Sequence, residues 1–154
     1  MQARMKNPAM VVPGAMDSLL GLAQAVKDSG IPVRTLELMN IRASQINGCG
    51  VCLDMHPNIA RKAGETDQRL FAVAGWRDTT YFDDAERAAL ALTEAVTRIA
   101  DSGDAVPDDV WDAAAEHYDE VQLGALVLNI ASINTWNRLN VATKQVAGQT
   151  GWNA

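Results

Sequence analysis

Residues 33–64 read VRTLELMNIRASQINGCGVCLDMHPNIARKAG, two helical patterns hinged on Asn47-Gly48. The first runs from about Val33 to Ile46 with Leu36, Met39 and Ala43 on one face, and Asn47-Gly48 is a good left-handed C-terminal cap. The second starts at Cys49 and ends at Ala63-Gly64. At about 100° per residue it places Cys49, Cys52 and His56 within an arc of roughly 60°, so two thiols and an imidazole face one place.

Outward from this pair the same punctuation recurs: a capping residue, apolar positions three and four apart, then glycine or proline. A helix is predicted after Asp17, with Leu19, Leu20, Leu22, Ala23 and Val26 inward, stopped by Gly30 and Pro32. Thr66 caps a short helix reaching Gly75, and Asp83 with Glu86 three residues on is a capping-box signature for a helix to about Ile99. Pro107, at a first helical position and followed by Asp108 and Asp109, opens another. The longest stretch runs from Glu120 to about Val146. Its apolar residues surround most of the circumference, which predicts a helix central to the core or packed on another subunit. No strand-like alternation of useful length is present. The prediction is an all-α, single-domain protein over 1–154, with 1–15 and 148–154 as extended tails.

A chain of 154 residues can build a hydrophobic core without disulfide staples, so its two cysteines are free for chemistry. Hydrophobic residues make up 48% and charged residues 21%, and no run approaches the ~18 apolar residues of a membrane span. A net charge of −6 with scattered basic residues argues against nucleic acid or an anionic membrane as partner. Met1 to Met16 is broken by Pro8, Pro13 and Gly14 and lacks the apolar core of a signal peptide, so a cytoplasmic location is expected.

A thiolate, not a thiol, attacks a peroxide or a disulfide, so a reactive cysteine needs its pKa of about 8.5 lowered. Gly48 puts both sulfurs in the first turn of a helix, where backbone N–H groups favour negative charge. His56, one turn beyond Cys52, can take its proton, and Glu37 can orient the imidazole if the chain reverses at Asn47-Gly48. The competing readings are a pair of buried small hydrophobes and a zinc site using Cys49, Cys52, His56 and Glu37. His117, near a helix end, reads as a capping or surface residue. The tryptophans at 76, 111, 136 and 152 read as core or subunit contacts, with Trp136 the one to place near a site. Asn134, Asn137, Arg138 and Asn140 fit a polar interface network.

The stretch from Glu37 to Gly64 resembles the AhpD-like branch of the carboxymuconolactone decarboxylase family, alkylhydroperoxidases with a glutamate, a CxxC pair and a histidine at these spacings. The likeness continues through Glu65-Thr66-Asp67-Gln68-Arg69-Leu70 and returns at Ile133-Asn134-Thr135-Trp136-Asn137-Arg138-Leu139-Asn140. The resemblance implies an all-α fold that assembles as homotrimers or homohexamers and reduces hydrogen peroxide or alkyl hydroperoxides. It makes Glu37 and His56 a proton relay, Cys52 the thiol that meets peroxide and Cys49 the resolving thiol. An external dithiol, such as a dihydrolipoyl or thioredoxin-like protein, would restore both thiols, and no metal, haem or flavin is implied. Some relatives carry a second histidine directly before the second cysteine; here Val51 stands there. Pro57, inside the cysteine helix, removes one backbone bond and disfavours helical geometry at His56. A redox sensor or disulfide-exchange protein, and a lactone decarboxylase of the parent family, are the alternatives.

Overall fold

The computed structural model describes residues 1–148. Among the described residues there are eight α-helices and one 3-10 helix, with no strand: α1 (Pro8–Val11), α2 (Ala15–Lys27), α3 (Val33–Asn47), α4 (Gly50–Lys62), α5 (Asp67–Ala72), the 3-10 helix (Val73–Asp78), α6 (Asp84–Thr97), α7 (Asp108–Ala115) and α8 (Glu120–Ala142). The helix starts follow from their caps. Asp83 and Asp119 each form a full capping box, with Glu86 and Gln122, and the Thr66 hydroxyl accepts from Arg69 N–H. Pro107 stands one position earlier than expected, as the N-cap of α7.

Helix α3 is the post around which the others stand, packing against α4, α6 and α8. Two apolar clusters share it. Leu36 and Met39 join Leu92, Leu126 and Ile130 on one side, while Leu38 and Ile41 join Ala60, Val73, Trp76 and Leu90 on the other. Each large aliphatic side chain enclosed this way contributes about 1.5–3 kcal/mol. The single apolar face expected for this helix is therefore too narrow a description. Of the two placements expected for α8, central to the core or packed on another subunit, the first holds for Leu126, Ile130 and Ile133, while Val121, Leu128 and Val141 are exposed in the single chain; the helix stops at Ala142, short of the expected Val146, with Lys144 in the left-handed region (φ 54°).

Other differences from the sequence reading have local causes. Helix α2 begins at Ala15 behind a left-handed Gly14, and of its expected inward residues Leu20 is exposed, because α2 roofs a cavity rather than a closed core. Trp76 is core, but Trp111 is exposed; Trp152 lies outside the described residues, as does all of the expected tail 148–154 beyond Gly148. Residues 1–15 are not extended throughout. Asn7 caps α1, and the segment before it is laid along the end of α8 by Arg4 N–H to Thr143 O (2.9 Å) and by Gln145 Nε2 to Met5 O (2.8 Å).

Glu94 of α6 ties the far side together, accepting from Arg42 (2.6 Å), Arg77 (2.6 Å) and Trp76 Nε1 (3.0 Å). Burial alone would raise its pKa, but hydrogen bonds from Arg77, Trp76 and Arg42 outweigh it and hold the carboxyl down at about 2. A depressed pKa gives stability that is present above the ordinary carboxylate range and is lost as pH falls from there toward 2. Glu94→Gln should therefore cost about 2 kcal/mol in urea unfolding at pH 7, allowing for partial solvent screening of the arginines. The gap between variant and parent should narrow progressively below pH 4; an equal gap at pH 7 and pH 2.5 would refute the role of this carboxylate.

Candidate functional site

The reversal that the site requires sits at Gly48, the C-cap of α3, with φ 66° and ψ 33°. A left-handed residue there suits glycine and turns α4 back along α3. Cys49 then takes the N-cap position of α4, in extended conformation, and its sulfur accepts weakly from Cys52 N–H (3.4 Å). Cys49 and Cys52 are joined as a disulfide with Cα atoms 5.4 Å apart, and each residue is only 1% exposed.

Antiparallel return of α4 brings His56 to Glu37 across the two helices, with His56 Nδ1 donating to Glu37 Oε2 at 2.6 Å. Both are buried. Helix α4 runs unbroken through Pro57, so the proline does not displace the ring from this contact. The other Glu37 oxygen accepts from Asn40 Nδ2 (3.3 Å), and Asn40 Oδ1 in turn accepts from Asn129 Nδ2 (3.1 Å) on α8. The carboxylate is thus held on both sides before the histidine is considered.

The asparagines of α8 serve the sulfurs, a role the sequence reading missed. Asn137, 1% exposed, donates through Nδ2 to Cys52 Sγ (3.1 Å) and to Ser44 Oγ (3.0 Å), and its oxygen accepts from Asn47 Nδ2 (2.8 Å). Asn140 Nδ2 points at the same sulfur (3.5 Å) and at Cys49 Sγ (3.8 Å), while its oxygen accepts from Asn7 Nδ2 (2.8 Å). Asn134 instead links Asn47, Thr97 and Arg138. The available signal was four asparagines, at 129, 134, 137 and 140, spaced along one helix with a single arginine among them.

Two cavities flank the disulfide, with Val51 on the wall of both. The larger, about 630 Å³, is bordered by Cys52, His56, Glu37 and Trp136; the smaller, about 460 Å³, by Cys49, Gly48 and Lys144. His117 is exposed on α7's far end and takes no part.

Compared with known proteins, residues 13–95 match the carboxymuconolactone decarboxylase family. An uncharacterized Bacillus subtilis protein, YdfG, is 42% identical over 132 residues, covering 86% of this chain and 88% of its own length. The alkyl hydroperoxide reductase AhpD of Streptomyces coelicolor is 42% identical over 52 residues, 32% of this chain and 29% of that protein. A crystal structure of an Agrobacterium tumefaciens protein of unknown function, described as an AhpD antioxidant defence candidate, has a TM-score of 0.86 at 34% identity and covers 95% of this chain and 98% of that one.

Asn137 joins α3, α4 and α8 through one carboxamide, so truncating it strands the buried Ser44 hydroxyl and removes a donor to Cys52 Sγ. Asn137→Ala should lower stability by about 1–3 kcal/mol. Asn134→Ala should cost less, since Asn47 keeps Asn137; denaturant midpoints in the reverse order would refute this ranking.

Proposed function

Because this chain belongs to the carboxymuconolactone decarboxylase family and is AhpD-like in sequence and fold, we propose that it is a thiol-dependent peroxidase working through Cys49 and Cys52. The observation that carries the reading is a dithiol-disulfide pair whose Cys52 borders the same cavity as an imidazole already locked by a carboxylate. With Nδ1–H committed to Glu37, the neutral ring offers Nε2 to accept the proton of Cys52, one helical turn away. Two carboxamide donors at Cys52 Sγ favour its thiolate over its thiol.

The Cys52 thiolate attacks the distal oxygen of the peroxide, the O–O bond breaks, and the leaving alkoxide takes the proton from His56 as an alcohol. Cys49 then attacks the sulfenic sulfur, whose oxygen departs as water with the thiol proton, and the disulfide forms. An external dithiol returns two electrons and two protons and leaves as its own disulfide. Near-complete burial of both sulfurs disfavours exchange across a protein surface, and favours a slender dihydrolipoyl arm as reductant over a broad thioredoxin-like face. A lactone decarboxylase would have no use for a dithiol, so lactone turnover by a protein lacking both cysteines would overturn the peroxidase reading.

Val121 and Leu128, seven residues apart on one exposed face of α8, support self-association into a homotrimer or homohexamer. Sedimentation as a 16.6 kDa monomer at micromolar concentration would refute it.

Cys52→Ser should abolish peroxide reduction, and Cys49→Ser should leave a sulfenic acid that dimedone traps on Cys52. His56→Ala should slow Cys52 alkylation at pH 7 by about a hundredfold, Glu37→Gln by less, with both deficits shrinking as pH rises. Superimposable pH profiles for the three proteins would show that no relay operates.

A further inference from the structure

The larger cavity is far too big for hydrogen peroxide. Its volume of about 630 Å³ compares with about 30 Å³ per water in the liquid, so hydrogen peroxide would fill about a tenth of it. The space is of the size that encloses an organic ligand. Its wall is apolar along most of its extent, with Met10, Met16 and Leu20 from the N-terminal helices facing Met55, Ile59 and Trp136 from α4 and α8. Unbranched methionines adapt to flexible chains better than β-branched residues would.

The exposed charged side chains lining the cavity are of one sign. Lys6 and Lys27 both line the cavity and are solvent-exposed, and neither has a hydrogen bond or ion pair among the described residues. The one carboxylate on the wall, Glu37, is already held by His56 and Asn40. A chain of net charge −6 thus places two unpaired, exposed cations on the lining of its apolar cavity. That combination suits an amphipathic anion, which buries its chain and leaves its charge with the lysines.

We propose that the cavity binds long-chain fatty-acid hydroperoxides, with the carboxylate at Lys6 and Lys27 and the apolar chain along the methionine-lined wall toward Cys52. This specificity rests on the peroxidase reading only for its chemistry, because binding of the alcohol product requires no turnover. The reaction is that given above, with R a carboxylate-bearing chain: ROOH becomes ROH, the peroxide being reduced and the dithiol oxidised.

The test titrates the disulfide form with hydroxyoctadecadienoic acid and with its methyl ester, below their aggregation limits, following Trp136 fluorescence against a Trp136→Phe control. The acid should bind saturably and about tenfold tighter than the ester, and Lys6→Ser/Lys27→Ser should remove that preference. Equal binding of acid and ester, an unchanged preference in the double variant, or no saturable signal dependent on Trp136 would each overturn the proposal. Selective binding of the acid by a protein that reduces no peroxide would refute the peroxidase reading and leave the ligand assignment standing.

Discussion

Helix α3 is enclosed on every side and yet carries Glu37, Asn40 and Ser44 at spacings of three and four, along one face. A buried polar group without a partner costs about 1–3 kcal/mol, and more if charged. All three are buried, Ser44 completely, so each is met from a neighbouring helix. His56 of α4 meets Glu37, Asn129 of α8 meets Asn40, and Asn137 of α8 meets Ser44. The helices can close in this register and in no other slipped by a turn without stranding one of them. The site is where that requirement is satisfied, and it is rigid for the same reason that the fold is unique.

What could be read in the chain was what local geometry decides. Gly48 as a left-handed cap, Asp83 with Glu86 and Thr66 ahead of α5 all declare themselves within four residues, and the structure has them. The facing of Cys52 and His56 on one helix is likewise a matter of pitch. The meeting of Glu37 and His56 needed one further assumption, that the chain reverses at Gly48, and a single residue supplies it. By contrast, the asparagine cluster near the end of α8 was legible as polar but not as a sulfur clamp. Asn137 lies 85 residues from Cys52, and the pitch of one helix carries no information about what another will present to it.

Net charge misleads in the same way. The value of −6 excludes a broadly basic surface, but it says nothing of where thirteen cations sit, and Lys6 and Lys27 line one cavity because the N-terminal segment is held against the end of α8. Pro8, Pro13 and Gly14 look like breakers of a loose tail. In the structure Pro8 opens α1, where its fixed φ is welcome, and Gly14 allows the turn into α2.

The span from Cys52 to Asn137 also sets an order of events during synthesis. A ribosome adding about 5–20 residues per second needs about 4–17 s to travel from the cysteines to the amides that embrace them. Through that interval the nascent chain holds two thiols with neither lid nor clamp, and Asn7, already made, waits longer still for Asn140. The last of the described helices to be translated is the one that shelters the first chemistry made, so a chain stalled before α8 displays bare cysteines to whatever oxidant or thiol surrounds it.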